Sequence, residues 1–297
     1  LKVLINIYYL KINLLFSVMK LKTLYILGDI GFLNNNLHFM VNNIGNSIKP
    51  NDAITLMGDN FYPDGVESVN DPQWNTYNKI FKNIDNPVYS MLGNHDYVSN
   101  PKAQVKNDNW IMKDFYYKKE YENVDLYFLD TVQFNIHTWV SKEKIEEVHG
   151  LDYETLIGDQ LEWINLEMSR NKKKKKIVFG HYPIISNGKY IKKIKPMYDY
   201  LIETFKRNNV KLYISGHEHN SQFINRKLDN YEFNQAIVGS SSEVRYWEPN
   251  YCFSEENKDM FDNSDMYYGV LSLYDEYVSL KYFNMYNQIK HQYKIYL

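Results

Sequence analysis

Five times between Leu21 and Asn220 an apolar run ends on a glycine, and Asp, Asn or His follows at once. The stretches are TLYILGDIG (Asp29), AITLMGDNFY (Asp59, Asn60, Tyr62), VYSMLGNHD (Asn94, His95), KIVFGHYP (His181) and KLYISGHEH (His217, His219). Short apolar runs bounded by glycine read as buried strands. Glycine lets the chain turn sharply at each end and puts no side chain in a ligand's way. Open α/β folds place their sites outside the carboxyl ends of strands. The pattern therefore predicts five strand ends that carry Asp, Asn and His to one edge of a sheet.

The rest of the chain fits around those strands. Strand Lys22–Leu27 leads into a helix expected within 32–49, with Leu37, Met40, Val41 and Ile44 near helical spacing and His38 a surface or packing residue. Strand Ala53–Met57 is followed by a loop at 63–71, a helix at 72–83 and strand Val88–Leu92. Residues 100–118 read as a loop with some local structure. In the next strand, Asp125–Val132, Asp130 is either a support for the site or a strand-end turn carboxylate. Residues 133–157 look polar and irregular, a rim over the site, with His137 and His149 in solvated loop positions. A helix over Asp159–Arg170, capped by Asp, is expected next. The basic run Lys172–Lys176 then reads as a solvated turn that suits a helix C-terminus. Strand Ile177–Phe179, helix Met197–Asn208 and strand Lys211–Ser215 follow. From Tyr231 onward the pattern is of strands alone, and the Ser240–Ser242 tip is a site loop or simply a turn. With no internal repeat and no Pro-, Gly- or Ser-rich linker, residues 19–297 are expected to form one domain.

Composition narrows the chemistry. The formal charge of the 297 residues is −2, so no global field argues for nucleic acid or a membrane surface as partner. A monomer is expected. The lone Cys252 excludes an intramolecular disulfide framework and a cysteine-based metal site, so any metal must be held by oxygen and imidazole. Residues 1–18 form an N-terminal extension or a signal segment; Asn6, Lys11 and Asn13 interrupt an apolar run too short to span a bilayer. No Asn has Ser or Thr two residues on, which together with the single cysteine favours the cytoplasm. A signal peptide at 1–18 would instead imply a secreted or lysosomal protein.

A two-metal hydrolase needs a bridging carboxylate, further oxygen or imidazole ligands, and an open position for water. Asp59 is the natural bridge. Asp29, Asp59, Tyr62 and His219 suit one ion, and Asp59, Asn94, His181 and His217 the other. His95 stays free to act on the leaving group, which makes His95 and Asp59 the catalytic candidates. Many two-metal phosphoesterases open with Asp-x-His, whereas here Gly31 stands in the histidine's place. Tyr62 can fill that role as a phenolate, an anionic hard ligand that suits Fe(III).

The set GDIG, GDNFY, GNHD, GHYP and GHEH resembles the purple acid phosphatases, a branch of the calcineurin-like metallophosphoesterases. It is most similar to their small, tartrate-resistant acid phosphatase-like members, and the similarity covers about residues 20–245. The resemblance implies a four-layer α/β/β/α sandwich, two mixed sheets flanked by helices. It also implies Fe(III) with Fe(II) or Zn(II), Mn(II) being possible in a reducing compartment. The implied reaction is hydrolysis of a small phosphate monoester or a phosphoprotein by in-line attack of a metal-bound hydroxide, with His95 as proton donor. Two features depart from the small enzymes: Tyr97 stands where they tend to have another His, and their cysteines are missing. Neither their acid pH optimum nor their disulfide is carried over. Two other functions compete: a metal-dependent phosphodiesterase on nucleotide-type substrates, and a non-catalytic metal-binding module of the same fold.

Overall fold

The computed structural model describes residues 19–135, 140–189, 195–228, 230–246 and 259–297, so the expectations for residues 1–18, His137 and Cys252 lie outside the described residues. Two mixed sheets form the centre. The six-stranded sheet contains β1 (Thr23–Leu27), β2 (Ala53–Leu56), β3 (Val88–Tyr89), β11 (Tyr267–Leu273), β12 (Val278–Asn284) and β13 (Ile289–Ile295), in the order β13-β12-β11-β1-β2-β3. The seven-stranded sheet contains β4 (Tyr117–Glu120), β5 (Val124–Phe128), β6 (Lys175–Phe179), β7 (Leu212–Ser215), β8 (Ser221–Leu228), β9 (Tyr231–Val238) and β10 (Met260–Asp262), in the order β10-β8-β9-β7-β6-β5-β4.

Of the five parallel pairs among the described residues, β1–β2, β2–β3, β5–β6 and β6–β7 are joined through helices, while β7–β9 is joined through strand β8. α1 (Asn35–Gly45) and α2 (Gln73–Phe81) cover the first sheet; α3 (Lys142–His149), α4 (Tyr153–Arg170) and α5 (Lys195–Arg207) belong to the second. Strands covered on both faces are buried along nearly their whole length, which is why they read as continuous apolar runs. The sheets meet through their interior faces: the Phe223 ring of β8 stacks on Tyr293 of β13 at 3.8 Å, and the Tyr282 hydroxyl of β12 donates to the Gln222 carbonyl at 2.6 Å.

The helix of residues 159–170 starts earlier than its apolar pattern suggested. Asp152, not Asp159, caps α4, its carboxylate accepting from Thr155 N at 3.0 Å. The buried stripe runs Tyr153, Leu156, Ile157, Gln160, Ile164 and Met168, while Leu166 is half exposed. The rim at 133–157 is less irregular than expected, because Ser141 caps α3 and Gly150 ends it in the left-handed region.

His149 leaves solvent, contrary to expectation. Its Nε2 accepts from Gln133 Nε2 at 3.2 Å and lies 3.0 Å from Tyr97 Oη. Gln133 also donates to Asp130 at 2.9 Å, and the Tyr97 hydroxyl donates to Asp130 as well. Burial, with a smaller push from Lys102, lowers the His149 pKa to about 4; burial raises that of Asp130 to about 7. Folded His149 stays neutral where the unfolded chain would take a proton near its ordinary 6.5, so its contribution to stability is lost as pH falls from 6.5 toward 4. Asp130 acts the other way. It keeps its proton in the folded state up to about 7 but ionises near 3.8 when unfolded, so its contribution is lost as pH rises through that window. Asp130→Asn therefore leaves His149 unopposed: denaturant unfolding should give a stability that climbs more steeply between pH 4 and 6.5 than in the wild-type chain. Parallel profiles would count against this account.

Candidate metal centre

Glycine serves the five strand ends differently from the way the sequence suggested. Of the glycines that close the apolar runs, only Gly58 takes a left-handed φ, +84°. The ligand candidates make the turn themselves: φ is 56° at Asp29, 51° at Asp59, 72° at His217 and 50° at His219. Such angles are uncommon outside glycine and cluster at functional sites. They are held by bonds within the site, His217 N donating to Asp29 Oδ2 at 2.8 Å and His95 N to Asp59 Oδ1 at 3.0 Å. The other glycines supply clearance. A Cβ at Gly28 would stand 1.7 Å from the Val238 oxygen, and one at Gly93 2.2 Å from Asp59 Oδ1.

The strand ends do converge, from two sheets rather than along one edge. β1, β2 and β3 of the six-stranded sheet lead to Asp29, Asp59 with Tyr62, and Asn94 with His95; β6 and β7 of the other lead to His181, His217 and His219. On one side of Asp59, the Tyr62 hydroxyl lies 3.2 Å from Asp59 Oδ2, 3.4 Å from Asp29 Oδ1 and 3.0 Å from His219 Nε2. On the other side, His181 Nε2 lies 3.1 Å from Asn94 Oδ1, 3.4 Å from Asp59 Oδ1 and 3.3 Å from His217 Nδ1. Asp29, Asp59 and His219 form one group able to hold a cation, and Asp59, His181 and His217 a second. All five are buried.

The chemistry of the donors fits a pair of cations. His181 spends its Nδ1 hydrogen on the Met57 carbonyl at 2.9 Å, so its Nε2 turns a lone pair toward Asn94 Oδ1 and Asp59 Oδ1. Three acceptors thus face one another. Burial pushes both His181 and His217 down, which keeps the rings neutral. Burial and the neighbouring Asp59 charge push Asp29 well above the usual carboxylate range, and burial with both carboxylates holds the Tyr62 phenol far above its ordinary value. A cation of high charge would relieve each of these costs at once.

His95 stands beside the cluster. Its Nδ1 pairs with the Pro63 carbonyl, which fixes the ring and turns Nε2 toward Asp59 Oδ2, 4.0 Å away. The ring sits edge-on to Tyr62 with centroids 4.7 Å apart. A cavity of about 380 Å³ opens there, walled by Phe32, Leu33, Tyr62 and Pro63, with His95 and Arg245 on its polar side.

Three residues marked by the sequence lie apart from the ligand cluster. Asn60 is consumed by the scaffold: its amide donates to Met91 O at 2.8 Å, and its backbone N–H donates to Asp96 at 3.0 Å. Tyr97 is fully buried and bonded to Asp130, and Asp130 supports Tyr97 rather than a ligand candidate. Three others were not assigned from sequence. Asp96, the last letter of GNHD, ties three segments together by accepting from Gly93 N, Asn60 N and Gln104 Nε2. Glu243 Oε2 lies 2.9 Å from His219 Nδ1, and Arg245 Nε donates to Glu243 at 3.1 Å. The Ser240–Ser242 tip was the available signal for that segment, and it is a site loop: the Ser241 hydroxyl accepts from Gly28 N, and Ser242 donates to the Asp29 carbonyl.

Comparison with known proteins agrees with this geometry. The family model for calcineurin-like phosphoesterases matches residues 22–221. Purple acid phosphatase 3 of Arabidopsis thaliana is 28% identical over 257 residues, covering 82% of this chain and 68% of the relative. Tartrate-resistant acid phosphatase type 5 of Oryctolagus cuniculus is 29% identical over 193 residues, covering 58% of this chain and 56% of the relative. Among solved structures, Plasmodium GAP50, described as the anchor in the inner membrane complex, superposes with a TM-score of 0.74 at 23% identity, covering 93% of this chain and 89% of that one. That last likeness is one of fold.

Proposed function

Because the chain belongs to the calcineurin-like phosphoesterase family, we propose that it is a binuclear metal phosphatase acting on phosphate monoesters. In this reading Asp29, Asp59, Tyr62 and His219 hold one ion, and Asp59, Asn94, His181 and His217 hold the other. The observation that carries it is the meeting of Asn94 Oδ1, Asp59 Oδ1 and His181 Nε2, acceptors brought together with no hydrogen among them. A metal pair bound there supplies Lewis-acid charge for the phosphate oxygens and activates water at neutral pH.

The chain's own residues do the rest. Asp59 spans the two groups and, through its bond from His95 N, keeps His95 in register with them. Tyr62 as a phenolate favours a trivalent ion such as Fe(III), while the Asn94, His181 and His217 group suits Fe(II), Zn(II) or Mn(II). His95, with Nδ1 fixed on the Pro63 carbonyl, offers the Nε2 proton to the departing alkoxide or phenoxide. The adjoining cavity receives the organic part of the ester, a small molecule or a phosphorylated side chain.

Purified protein should carry about two metal ions per chain and hydrolyse p-nitrophenyl phosphate faster than bis(p-nitrophenyl) phosphate. Preference for the diester would make the protein a phosphodiesterase; absence of metal would leave a non-catalytic module. His95→Ala should retain both ions yet slow turnover by ~10²–10⁴-fold, most with poor leaving groups. Equal loss with good and poor leaving groups would remove the proton-donor role. Tyr62→Phe should abolish the iron–phenolate absorption band, and an unchanged visible spectrum in iron-loaded protein would refute that ligand.

A further inference from the structure

We infer that Glu243 is a positioning residue for the metal centre: it orients His219 and strengthens that imidazole's grip on a cation. The inference rests on the metal-centre reading above. His219 can offer a lone pair to the Asp29, Asp59 and Tyr62 group only through Nε2, 3.0 Å from Tyr62 Oη and 3.6 Å from Asp29 Oδ1. Its hydrogen must then sit on Nδ1, which lies 2.9 Å from Glu243 Oε2, an ion-pair contact whose N–H is not yet aligned as a hydrogen bond. His181 anchors the same nitrogen on a backbone carbonyl, that of Met57. A carboxylate pulls harder on the N–H hydrogen than a carbonyl does, and so makes the opposite nitrogen the more basic donor.

Glu243 is itself held in place. Arg245 Nε donates to the same carboxylate oxygen at 3.1 Å, and the Arg245 backbone N–H donates to the His219 carbonyl at 2.9 Å. One residue earlier, the Ser242 hydroxyl donates to the Asp29 carbonyl. Residues 242–245 therefore tie two ligand candidates, Asp29 and His219, from outside the cluster. The Glu243 side chain is 36% exposed, so its replacement empties no part of the core.

The test uses the metal-loaded wild-type protein beside Glu243→Ala and Glu243→Gln, with three readouts: the rate of metal loss into a chelator, the visible spectrum, and the melting temperature of the metal-stripped forms. Glu243→Ala should weaken retention of one of the two ions by about 10–100-fold and shift the absorption band. Glu243→Gln, whose amide oxygen keeps an acceptor facing Nδ1, should recover part of the loss. The stripped proteins should melt together. Wild-type retention in Glu243→Ala would overturn the inference, as would a stripped variant that loses as much melting temperature as the loaded one, which would make Glu243 mere scaffold. Wild-type protein that binds no metal would fell the metal-centre reading and this inference with it, an outcome the wild-type sample alone identifies.

Discussion

Two carboxylates buried within reach of a single phenol oxygen set the terms for this molecule. Asp29 and Asp59 lie 3.4 and 3.2 Å from Tyr62 Oη and are shielded from water, and burial with the neighbouring Asp59 charge makes Asp29 costly to ionise. The fold answers with fixed donors: the amide of His217 points at Asp29, and that of His95 at Asp59. Within the same volume the backbone takes left-handed angles at Asp29, Asp59, His217 and His219, none of them glycine. Strain and like charge are thus concentrated in one small volume, an arrangement that serves chemistry better than stability.

Around that volume the structure spends its buried polar groups on holding loops. Asp96 gathers the GNHD and GDNFY turns, Ser241 and Ser242 brace the GDIG turn, and Gln160 joins α4 to the end of β5 by accepting from Asp130 N. Tyr97 shows how a change of residue redirects a position. Its hydroxyl takes up Asp130 and neighbours His149, deep in the protein and turned from the cavity that His95 lines.

The site was legible in the sequence because each of its members follows a buried strand within a few residues, and strand ends have little freedom in where they point. All eight residues singled out as ligands or proton donor meet in space. What the sequence hid were the partners that arrive from far along the chain. Nothing local to Glu243 marks it as the neighbour of His219, since that contact depends on where the β9–β10 connection crosses the site. His149 was misjudged for a similar reason: a polar stretch reads as solvated until Ser141 and Asp152 start two helices that fold it inward. The role of the glycines was half read. Their lack of a side chain matters more here than their freedom of turn, because close approaches between backbones are invisible to local pattern.

One consequence lies in how the donors are divided between the sheets. Every candidate oxygen donor, on Asp29, Asp59, Tyr62 and Asn94, follows a strand of the six-stranded sheet; every candidate imidazole, on His181, His217 and His219, follows one of the seven-stranded sheet. Neither half alone carries both the oxygen and the imidazole donors of either group. Each bound cation would act as a rivet through the seam between the halves, adding to the energy needed to part them. Binding of the ions would then be coupled to the docking of the two sheets, each favouring the other.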